Sequence, residues 1–277
     1  MSRMTIQAAV TMNQLQNKLD LIGNNMANSQ TTGYKSKQAS FSSLLFQQID
    51  NLNAPENAVG RLTPDGIRIG SGARLGNINS DMSQGSIVTT GRVLDTALLN
   101  KNYLYQVQVT ENGVTETRYT RDGAFYLNPV NNNQDLMLTT SDGHPVIGEN
   151  GPILIAEGFD SITIRPNGDI LVERGTQAVV EGSLAIAEAV RPGILEATGS
   201  NQFRLPNLAE LGFNMADIIQ AAPANQDLLQ SQSLEQSNVD MANEMAELIM
   251  TQRAYQFNAR TISMGDQMMG LVNQMRS

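Results

Sequence analysis

Apolar residues near the N-terminus recur at the spacing of a helix that packs against another helix. Intervals of 4, 3, 4, 3 and 4 residues separate Ala8, Met12, Leu15, Leu19, Ile22 and Met26. This heptad pattern places all six side chains on one side of a helix. It predicts a helix over residues 1–30 with a helical partner. An ordinary amphipathic helix lying on its own domain has the same periodicity and is the alternative.

The C-terminal segment carries two apolar stripes at helical spacing. The first comprises Met241, Met245, Leu248, Tyr255, Ala259, Ile262 and Met269, and the second comprises Phe257, Met264, Met268, Leu271 and Met275. One buried face needs one stripe, so two predict a helix over residues 231–277 that packs on the N-terminal helix and on adjacent molecules. Methionine as plain core filler is the alternative. Capping-box-like pairs, Ser233 with Gln236 and Ser237 with Asp240, mark the predicted start.

Proline usage separates these ends from the middle of the chain. All nine prolines lie between Pro55 and Pro223, and none occurs in the first 30 or the last 46 residues. Because proline breaks helices, its exclusion supports helical ends. The predicted fold class is therefore mixed, with long coiled-coil-forming helices at both ends of a central, mainly β domain.

The middle of the chain alternates strand-like runs with tight turns. The runs cover residues 103–109, 117–120, 136–140, 153–155, 161–164 and 170–172. Asn-Gly and Asp-Gly pairs separate several of them and supply the positive φ angles of β-turns. We expect a β domain over residues 81–230. The polar residues 31–80, with an alternating run at 66–70, predict an extended connector or hairpin.

Composition narrows the chemistry available to the chain. A formal net charge of −9 disfavours a nucleic-acid binder. The chain has no cysteine, and its only histidine, His144, lies in a predicted turn, so no cofactor or metal is expected. The longest apolar run is too short to span a membrane, and the first residues lack the order of a secretory signal. We therefore expect a cytosolic protein or one exported without a cleavable signal peptide.

Paired carboxylates are the remaining route to catalysis. Asp122, Asp142, Asp160 and Asp169 suggest a glycosidase as a rival hypothesis. Three of the four belong to Asp-Gly or Gly-Asp turns, which explain them without catalysis. The chain is therefore predicted not to be an enzyme.

Both ends of the chain closely resemble one protein family. Residues 19–35 (LDLIGNNMANSQTTGYK) are similar to the N-terminal signature of the bacterial flagellar rod, hook and hook-basal-body proteins. Residues 234–240 (LEQSNVD) and 252–260 (QRAYQFNAR) resemble the closing motif of that family. The length, with a single β domain, resembles the rod proteins, in particular the distal-rod-like hook-basal-body protein of Gram-positive bacteria.

The resemblance implies a structural subunit of the basal-body rod. Such a subunit polymerises through its terminal helices into a hollow axial shaft that transmits torque to the hook. Its partners are then itself, other rod and hook proteins and the flagellar type III export apparatus, and its location is the flagellar basal body. A transient rod-cap, scaffolding or binding protein of the hook-basal body is the alternative.

Candidate assembly residues lie in both terminal segments. The set is Met12, Leu15, Leu19, Ile22, Asn24, Asn25, Met26, Asn28, Asn238, Met241, Met245, Leu248, Arg253, Tyr255 and Ile262. Its N-terminal asparagines are expected either to cap the first helix in a left-handed conformation or to bind the connector or a neighbouring subunit. Arg253 is expected to pair with Glu244, with Glu247 or with a carboxylate of the next subunit, or to remain solvated. Gly33 is expected to supply a flexible φ after the helix.

Overall fold

The computed structural model describes residues 3–43, 46–49, 67–70, 73–111, 113–130, 135–208, 212–223 and 226–276. Long helices α1 (Arg3–Ala27) and α3 (Met241–Arg276) occupy the two ends, and α2 (Met215–Ile218) and a 3-10 turn (Pro192–Ile194) lie between them. Between the two long helices, the first ten strands are β1 (Lys37–Ser43), β2 (Phe46–Ile49), β3 (Ile67–Gly70), β4 (Ala73–Ser80), β5 (Ile87–Thr89), β6 (Thr96–Leu98), β7 (Tyr103–Glu111), β8 (Val114–Thr120), β9 (Tyr126–Val130) and β10 (Asp135–Thr139). The strands that follow are β11 (Ile147–Gly148), β12 (Gly151–Pro152), β13 (Leu154–Ala156), β14 (Ser161–Ile164), β15 (Asp169–Arg174), β16 (Gln177–Ser183), β17 (Ile186–Ala189), β18 (Glu196–Gly199), β19 (Gln202–Arg204), β20 (Ile219–Ala221), β21 (Leu229–Ser231) and β22 (Ser233–Glu235). The predicted fold class, terminal helices with a mainly β body, is confirmed.

The chain forms two compact units. The helical unit comprises Met1–Met26, Lys37–Asn79 and Met241–Ser277, and the β unit comprises Ala27–Ser36 and Ser80–Asp240. In the helical unit β1 pairs with β4 and β2 pairs with β3. The alternating run predicted at 66–70 forms β3 from Ile67 onwards, while Gly66 and the rest of the connector between 50 and 65 lie outside the described residues.

The β unit is built around a six-stranded antiparallel sheet in the order β18-β19-β8-β7-β17-β20. Two three-stranded antiparallel sheets, β13-β10-β9 and β14-β15-β16, lie in the same unit. Each of the six runs predicted as strands overlaps an observed strand. Alternating β-branched and aromatic residues bounded by turn residues made these segments recognisable.

Two hydrophobic cores use alternate residues of β7. Tyr105 and Val107 are fully buried in the larger core, where Tyr105 meets Phe125 edge-to-face with ring centroids 5.1 Å apart. Leu104 belongs to the second core, together with Phe203. Successive strand residues point to opposite faces, so this sheet has a packed layer on each side.

The glycines of the predicted Asn-Gly and Asp-Gly turns have the expected positive φ, with one exception. Gly143 and Gly168 adopt φ of +83° and +98°, as the Asp-Gly and Asn-Gly pairs predict. The prediction is wrong at Gly123, which has no positive φ. There a Cβ would come within 1.9 Å of the Thr96 carbonyl oxygen, so glycine is required for close approach of two backbones.

The predicted start of the C-terminal helix is also wrong. Residues 233–235 form β22, which pairs with β5 through the Ser233↔Thr89 register, and the helix begins at Met241. Within β22, Ser233 and Glu235 are buried and Leu234 is half-buried, an alternation that suits a strand. Ser237 Oγ accepts from Val239 N at 3.3 Å within the loop before the helix. Strand pairing in the β unit therefore overrides the capping-box pattern.

Candidate assembly site

The covered side of α1 coincides with the predicted heptad positions. Ala8 and Ile22 are only 5% and 1% exposed, and the other four positions, Met12, Leu15, Leu19 and Met26, are half-buried. Intervening polar residues such as Asn13 and Asp20 are exposed. The spacing of apolar residues therefore identifies the face of α1 that the helical unit covers.

Helices α1 and α3 contact each other in antiparallel order. Near the start of α1, a Cβ built at Gly265 would lie 2.9 Å from Thr5 Cγ2. Near its end, Asn25 Nδ2 donates to Glu244 Oε1 at 2.9 Å. The two contacts are about 30 Å apart along either helix, given the rise of about 1.5 Å per residue. Lys18 Nζ lies 2.8 Å from a Glu247 oxygen between them.

Helix α3 has a covered face as far as Gly265 and exposed apolar residues along its length, and every described side chain from Asp266 to Met275 is exposed. Intervals of 4, 3, 4, 3, 4 and 3 separate its covered or half-covered residues Glu244, Leu248, Thr251, Tyr255, Asn258, Ile262 and Gly265. A second set, which we call the exposed stripe, is 54–89% exposed and comprises Met250, Phe257, Met264, Met268, Leu271 and Met275. Five of these six form the second stripe of the sequence prediction. The candidate residues Met241 and Met245 are 37% and 49% exposed.

Asn25 connects α1 to the first strand of the connector. Its Oδ1 accepts from Lys37 N and its Nδ2 donates to Lys37 O, both at 2.9 Å, and the residue is 1% exposed. This is the connector bond that the sequence offered as one alternative. The left-handed cap is wrong, because none of Asn24, Asn25 and Asn28 has a positive φ. Asn28 instead accepts a backbone bond from Thr31 N at 3.1 Å.

In the β unit, the two family-like segments meet at one buried carboxylate. Glu235 Oε1 accepts from Lys35 Nζ at 2.7 Å and from Gly85 N at 2.9 Å. Its Oε2 accepts from Arg121 Nε at 2.8 Å and from the same guanidinium a second time. The side chains of Lys35, Arg121 and Glu235 are at most 1% exposed. We call these three residues the buried ion cluster.

The buried ion cluster holds two cations against one anion, and every charged group is hydrogen-bonded. Arg121 also donates to the carbonyl oxygens of Asn100 and Tyr103 at 2.7 and 2.8 Å. Lys35 Nζ donates to Ser83 O at 2.6 Å. Burial, and then the charge of Arg121, lower the pKa of the Lys35 ammonium below its usual value. The cluster therefore depends on Glu235 as its only anion.

Gly33 and Thr32 hold the segment after α1 against the Arg121–Asp122 backbone. Gly33 has φ +65°, as expected, and its N donates to Glu235 O at 2.9 Å. A Cβ at Gly33 would lie 2.5 Å from Asp122 N, so a side chain has no room. Thr32 Oγ1 donates to Asp122 Oδ1 at 2.9 Å. Burial raises the pKa of the Asp122 carboxyl.

Asn238 forms hydrogen bonds that connect the segment after α1 to the segment before α3. Its Oδ1 accepts from Ser36 N at 2.8 Å, and its Nδ2 donates to Asp81 O at 2.9 Å and to Ser83 O at 3.1 Å. Asn238 therefore lies in the loop before α3, not on the assembly helix where the sequence placed it. It fixes the segment that follows α1 to the segment that precedes α3.

The remaining candidates of the C-terminal helix fall into two groups. Leu248, Tyr255 and Ile262 are half-buried, whereas Arg253 is exposed. Glu244 and Glu247, the expected partners of Arg253, contact Asn25 and Lys18 instead. The sequence left the choice between a pairing and a solvated arginine open, and the exposure of Arg253 fits the solvated alternative within one chain.

Sequence reasoning missed the buried ion cluster. Lys35 and Glu235 lie inside the two family-like segments, but nothing in their local pattern marks them as buried. The available signal was the alternation around Glu235, which fits a strand with a charged residue on its inner face. That burial requires a cation, and the sequence does not say which of the 18 lysines and arginines supplies it.

Catalytic and membrane features receive no support from the described part of the chain. Asp142 and Asp160 are exposed, and the described residues contain no group of three potential metal ligands. His144 lies next to the turn it was predicted to occupy, and its carbonyl accepts from Thr140 N at 2.9 Å. Among the helices in the described ranges, none is long and apolar enough to cross a membrane.

Three family models match the chain, and they include both terminal segments. Residues 7–35 match the model for flagella basal body rod proteins, and residues 230–275 match the C-terminal model for flagellar basal body rod FlgEFG proteins. Residues 99–172 match the D1 domain of the flagellar hook proteins FlgE/F/G. The two terminal matches contain Lys35, Glu235 and Asn238, so the chain shares with the family the segments that meet in the β unit.

Whole-chain relatives agree with the family models. The chain is 41% identical to the flagellar hook-basal body complex protein FlhP of Bacillus subtilis, over 100% of both chains. It is 32% identical to the flagellar basal-body rod protein FlgG of Caulobacter vibrioides, over 98% of both, and 31% identical to FlgG of B. subtilis, over 96% of both. The predicted resemblance is confirmed: the chain belongs to the flagellar basal-body rod and hook-basal-body protein family, whose members are structural proteins of the flagellum rather than enzymes.

Proposed function

We propose that this chain is a structural subunit of the flagellar basal-body rod that polymerises through its terminal helices into a hollow axial shaft. The shaft carries torque to the hook. The observation that carries the proposal is the exposed stripe of α3, which leaves six large apolar side chains uncovered in one chain. Family membership supplies the context, because the named relatives are rod and hook-basal-body proteins.

The exposed stripe has the spacing of a second helix-packing seam. Seven positions separate each residue from the next in the series Met250, Phe257, Met264 and Leu271. Met268 lies four positions after Met264, and Met275 lies four positions after Leu271. A heptad repeat of this kind packs against a neighbouring helix. Covering these side chains fully would contribute about 1–2 kcal/mol each, since each is already partly covered. Such a sum favours association over a solvated monomer.

The antiparallel pair of α1 and α3 presents this seam without giving up its own contacts. The Asn25–Glu244 hydrogen bond and the Lys18–Glu247 ion pair join the two helices, and the exposed stripe remains for neighbouring subunits. A face that binds a different face of the next copy generates an open helix, since nothing closes the ring. The candidate residues on the helices thus divide into covered or half-covered positions, such as Leu15 and Ile22, and exposed positions, such as Met241 and Met245; the exposed stripe adds positions outside the candidate set.

The test compares two glutamate substitutions on α3 of the purified full chain. Met268→Glu places a charge on the exposed stripe, and Gln256→Glu places the same charge at an exposed polar position outside it. We expect M268E to abolish polymers seen by sedimentation and electron microscopy, because burying an unpaired carboxylate costs several kcal/mol. Q256E should polymerise like the unmodified chain.

Circular dichroism of the two variants separates assembly from folding. Both changes lie at exposed positions, so both monomers should keep the helix content of the unmodified chain. Equal polymerisation of M268E and the unmodified chain would refute the exposed stripe as the assembly face. A loss of helix in M268E would show instead that the stripe is needed within one chain.

Assembly in the cell includes other components. We propose that the subunit contacts other rod and hook proteins, reaches the basal body through the flagellar type III export apparatus and requires no cleaved signal peptide. Copy number in isolated basal bodies tests the structural role. Many copies per basal body, with loss of hook and filament on deletion, would support the subunit; a few copies absent from the mature structure would identify a rod cap.

A further inference from the structure

Methionines are distributed unevenly between covered and exposed positions. Helix α3 contains seven, and all are between 37% and 89% exposed: Met241, Met245, Met250, Met264, Met268, Met269 and Met275. Met82, in the β unit, is 7% exposed, and Met12 and Met26 of α1 are half-buried. The chain has no cysteine, so no thiol competes for an oxidant.

The two faces of α3 differ in the kind of apolar residue that they carry. The covered face uses Leu248, Tyr255 and Ile262. The exposed stripe uses methionine at four of its six positions, and Met264 and Met268 lie in its middle, 54% and 67% exposed. Thioethers that are open to solvent are the side chains that peroxides oxidise readily after thiols. The surface proposed for assembly is therefore also rich in side chains that peroxides oxidise.

We propose that the four methionines of the exposed stripe, Met250, Met264, Met268 and Met275, are peroxide-reactive modification sites and that their oxidation blocks assembly of the monomer. This inference rests on the proposed function of the exposed stripe. The oxidant is hydrogen peroxide. The thioether sulfur attacks one peroxide oxygen, the O–O bond breaks as the S–O bond forms, and the released hydroxide takes the remaining peroxide proton to give water. Sulfur loses two electrons and peroxide gains them.

The product differs from the thioether in polarity. A sulfoxide oxygen is a strong hydrogen-bond acceptor, and an apolar seam offers it no donor. In the monomer the sulfoxides of Met264 and Met268 remain in solvent, so α3 keeps its fold. In a polymer the same positions are covered, so assembled subunits are protected. Oxidation thus acts on subunits before assembly and not on the finished shaft.

The reactivity is tested on the purified full-length monomer treated with hydrogen peroxide and analysed by peptide mass spectrometry. We expect Met264 and Met268 to oxidise about tenfold faster than Met82, because reactivity follows exposure. Circular dichroism should show no loss of helix after treatment. Equal rates at Met82 and Met264 would overturn the assignment of reactive sites, whether or not the chain polymerises.

The effect on assembly is tested with treated and untreated chains and with a four-leucine variant, in which Met250, Met264, Met268 and Met275 are each replaced by leucine. Peroxide should raise the concentration needed for polymerisation at least about tenfold in the unmodified chain, and should leave the four-leucine variant nearly unaffected. Methionine sulfoxide reductases for both epimers should restore assembly. Polymerisation of treated chain at the normal concentration, or equal sensitivity of the four-leucine variant, would overturn the inference. Failure of the untreated chain to polymerise would instead refute the proposed function and, with it, the assembly effect.

Discussion

Replacing Glu235 by glutamine should destabilise the β unit by about 3–5 kcal/mol, the usual cost of removing one partner from a buried ion pair. Among the described residues, Glu235 is the one carboxylate that forms an ion pair with Lys35 and Arg121, and all three side chains are at most 1% exposed. Glutamine keeps the shape of the side chain but leaves two buried cations without a counter-charge. The expected loss therefore comes from electrostatics and not from a cavity.

Urea unfolding followed by tyrosine fluorescence measures this change. The chain has no tryptophan, and five of its six tyrosines lie in the β unit, so the signal reports mainly on that unit. With an m-value of about 2 kcal/mol/M, the E235Q midpoint should fall by about 1.5–2.5 M. The m-value itself should stay the same if only stability changes.

A matched control is the same substitution in an exposed ion pair. Glu196 lies 2.9 Å from Arg204, and both side chains are about half exposed. Glu196→Gln should cost at most about 1 kcal/mol, because solvent screens surface pairs. E235Q and E196Q make the same chemical change, but the carboxylate of Glu235 is buried and that of Glu196 is exposed.

A second variant tests the charge balance of the buried ion cluster. Lys35→Met leaves Arg121 and Glu235 as a neutral pair and removes a cation whose pKa burial already lowers. It also leaves Ser83 O without this donor, so the expected cost is about 1–3 kcal/mol, less than that of E235Q. An E235Q midpoint equal to that of E196Q, or a larger loss in K35M than in E235Q, would refute the electrostatic reasoning.

Three further outcomes are expected. Gly33→Ala should destabilise the β unit in urea by clearly more than Gly91→Ala, since both glycines have positive φ but only the first would clash with the backbone; equal losses would contradict this. In the helical unit, Gly270→Ala should raise thermal stability by up to about 1 kcal/mol through helix propensity, and Gly265→Ala should not, because its Cβ would press on α1. The raised pKa of Asp122 means that the folded chain holds this proton more tightly than the unfolded chain, so the contribution of Asp122 to stability falls as pH rises from about 3.8 through the folded pKa. Asp122→Asn should remove this slope from urea midpoints measured across pH, and an unchanged slope would show that another group causes it.

Periodicity was enough to predict the two long helices and six strands of the β unit. The 4-3 spacing of α1 identified its covered face, and the two stripes of α3 identified its apolar positions without showing which of them one chain leaves exposed, since Met241, Met245 and Met269 of the first stripe are exposed as well. In the β unit, runs of β-branched and aromatic residues between glycine turns marked β7, β8, β10, β14 and β15. These features depend on residues close together in the sequence, where side-chain direction repeats with the backbone.

Local pattern failed where a distant segment competed for the same residues. The capping-box pair at Ser233 and Gln236 fits a helix start, yet Ser233–Glu235 pairs with β5. The strand wins because it buries Glu235 against Arg121, 114 residues away. Local propensity is a weak prior against such tertiary contacts.

The sequence by itself determined which faces of the terminal helices are apolar, where six strands of the β unit lie and, through its terminal motifs, the family. Only the tertiary structure decided that Lys35 and Glu235, 200 residues apart, share a buried ion pair, that α3 starts at Met241 and that the second stripe stays uncovered. The physical reason is that side-chain periodicity is a property of a short segment, whereas the partner of a buried charge depends on which remote segments the fold brings within hydrogen-bond distance.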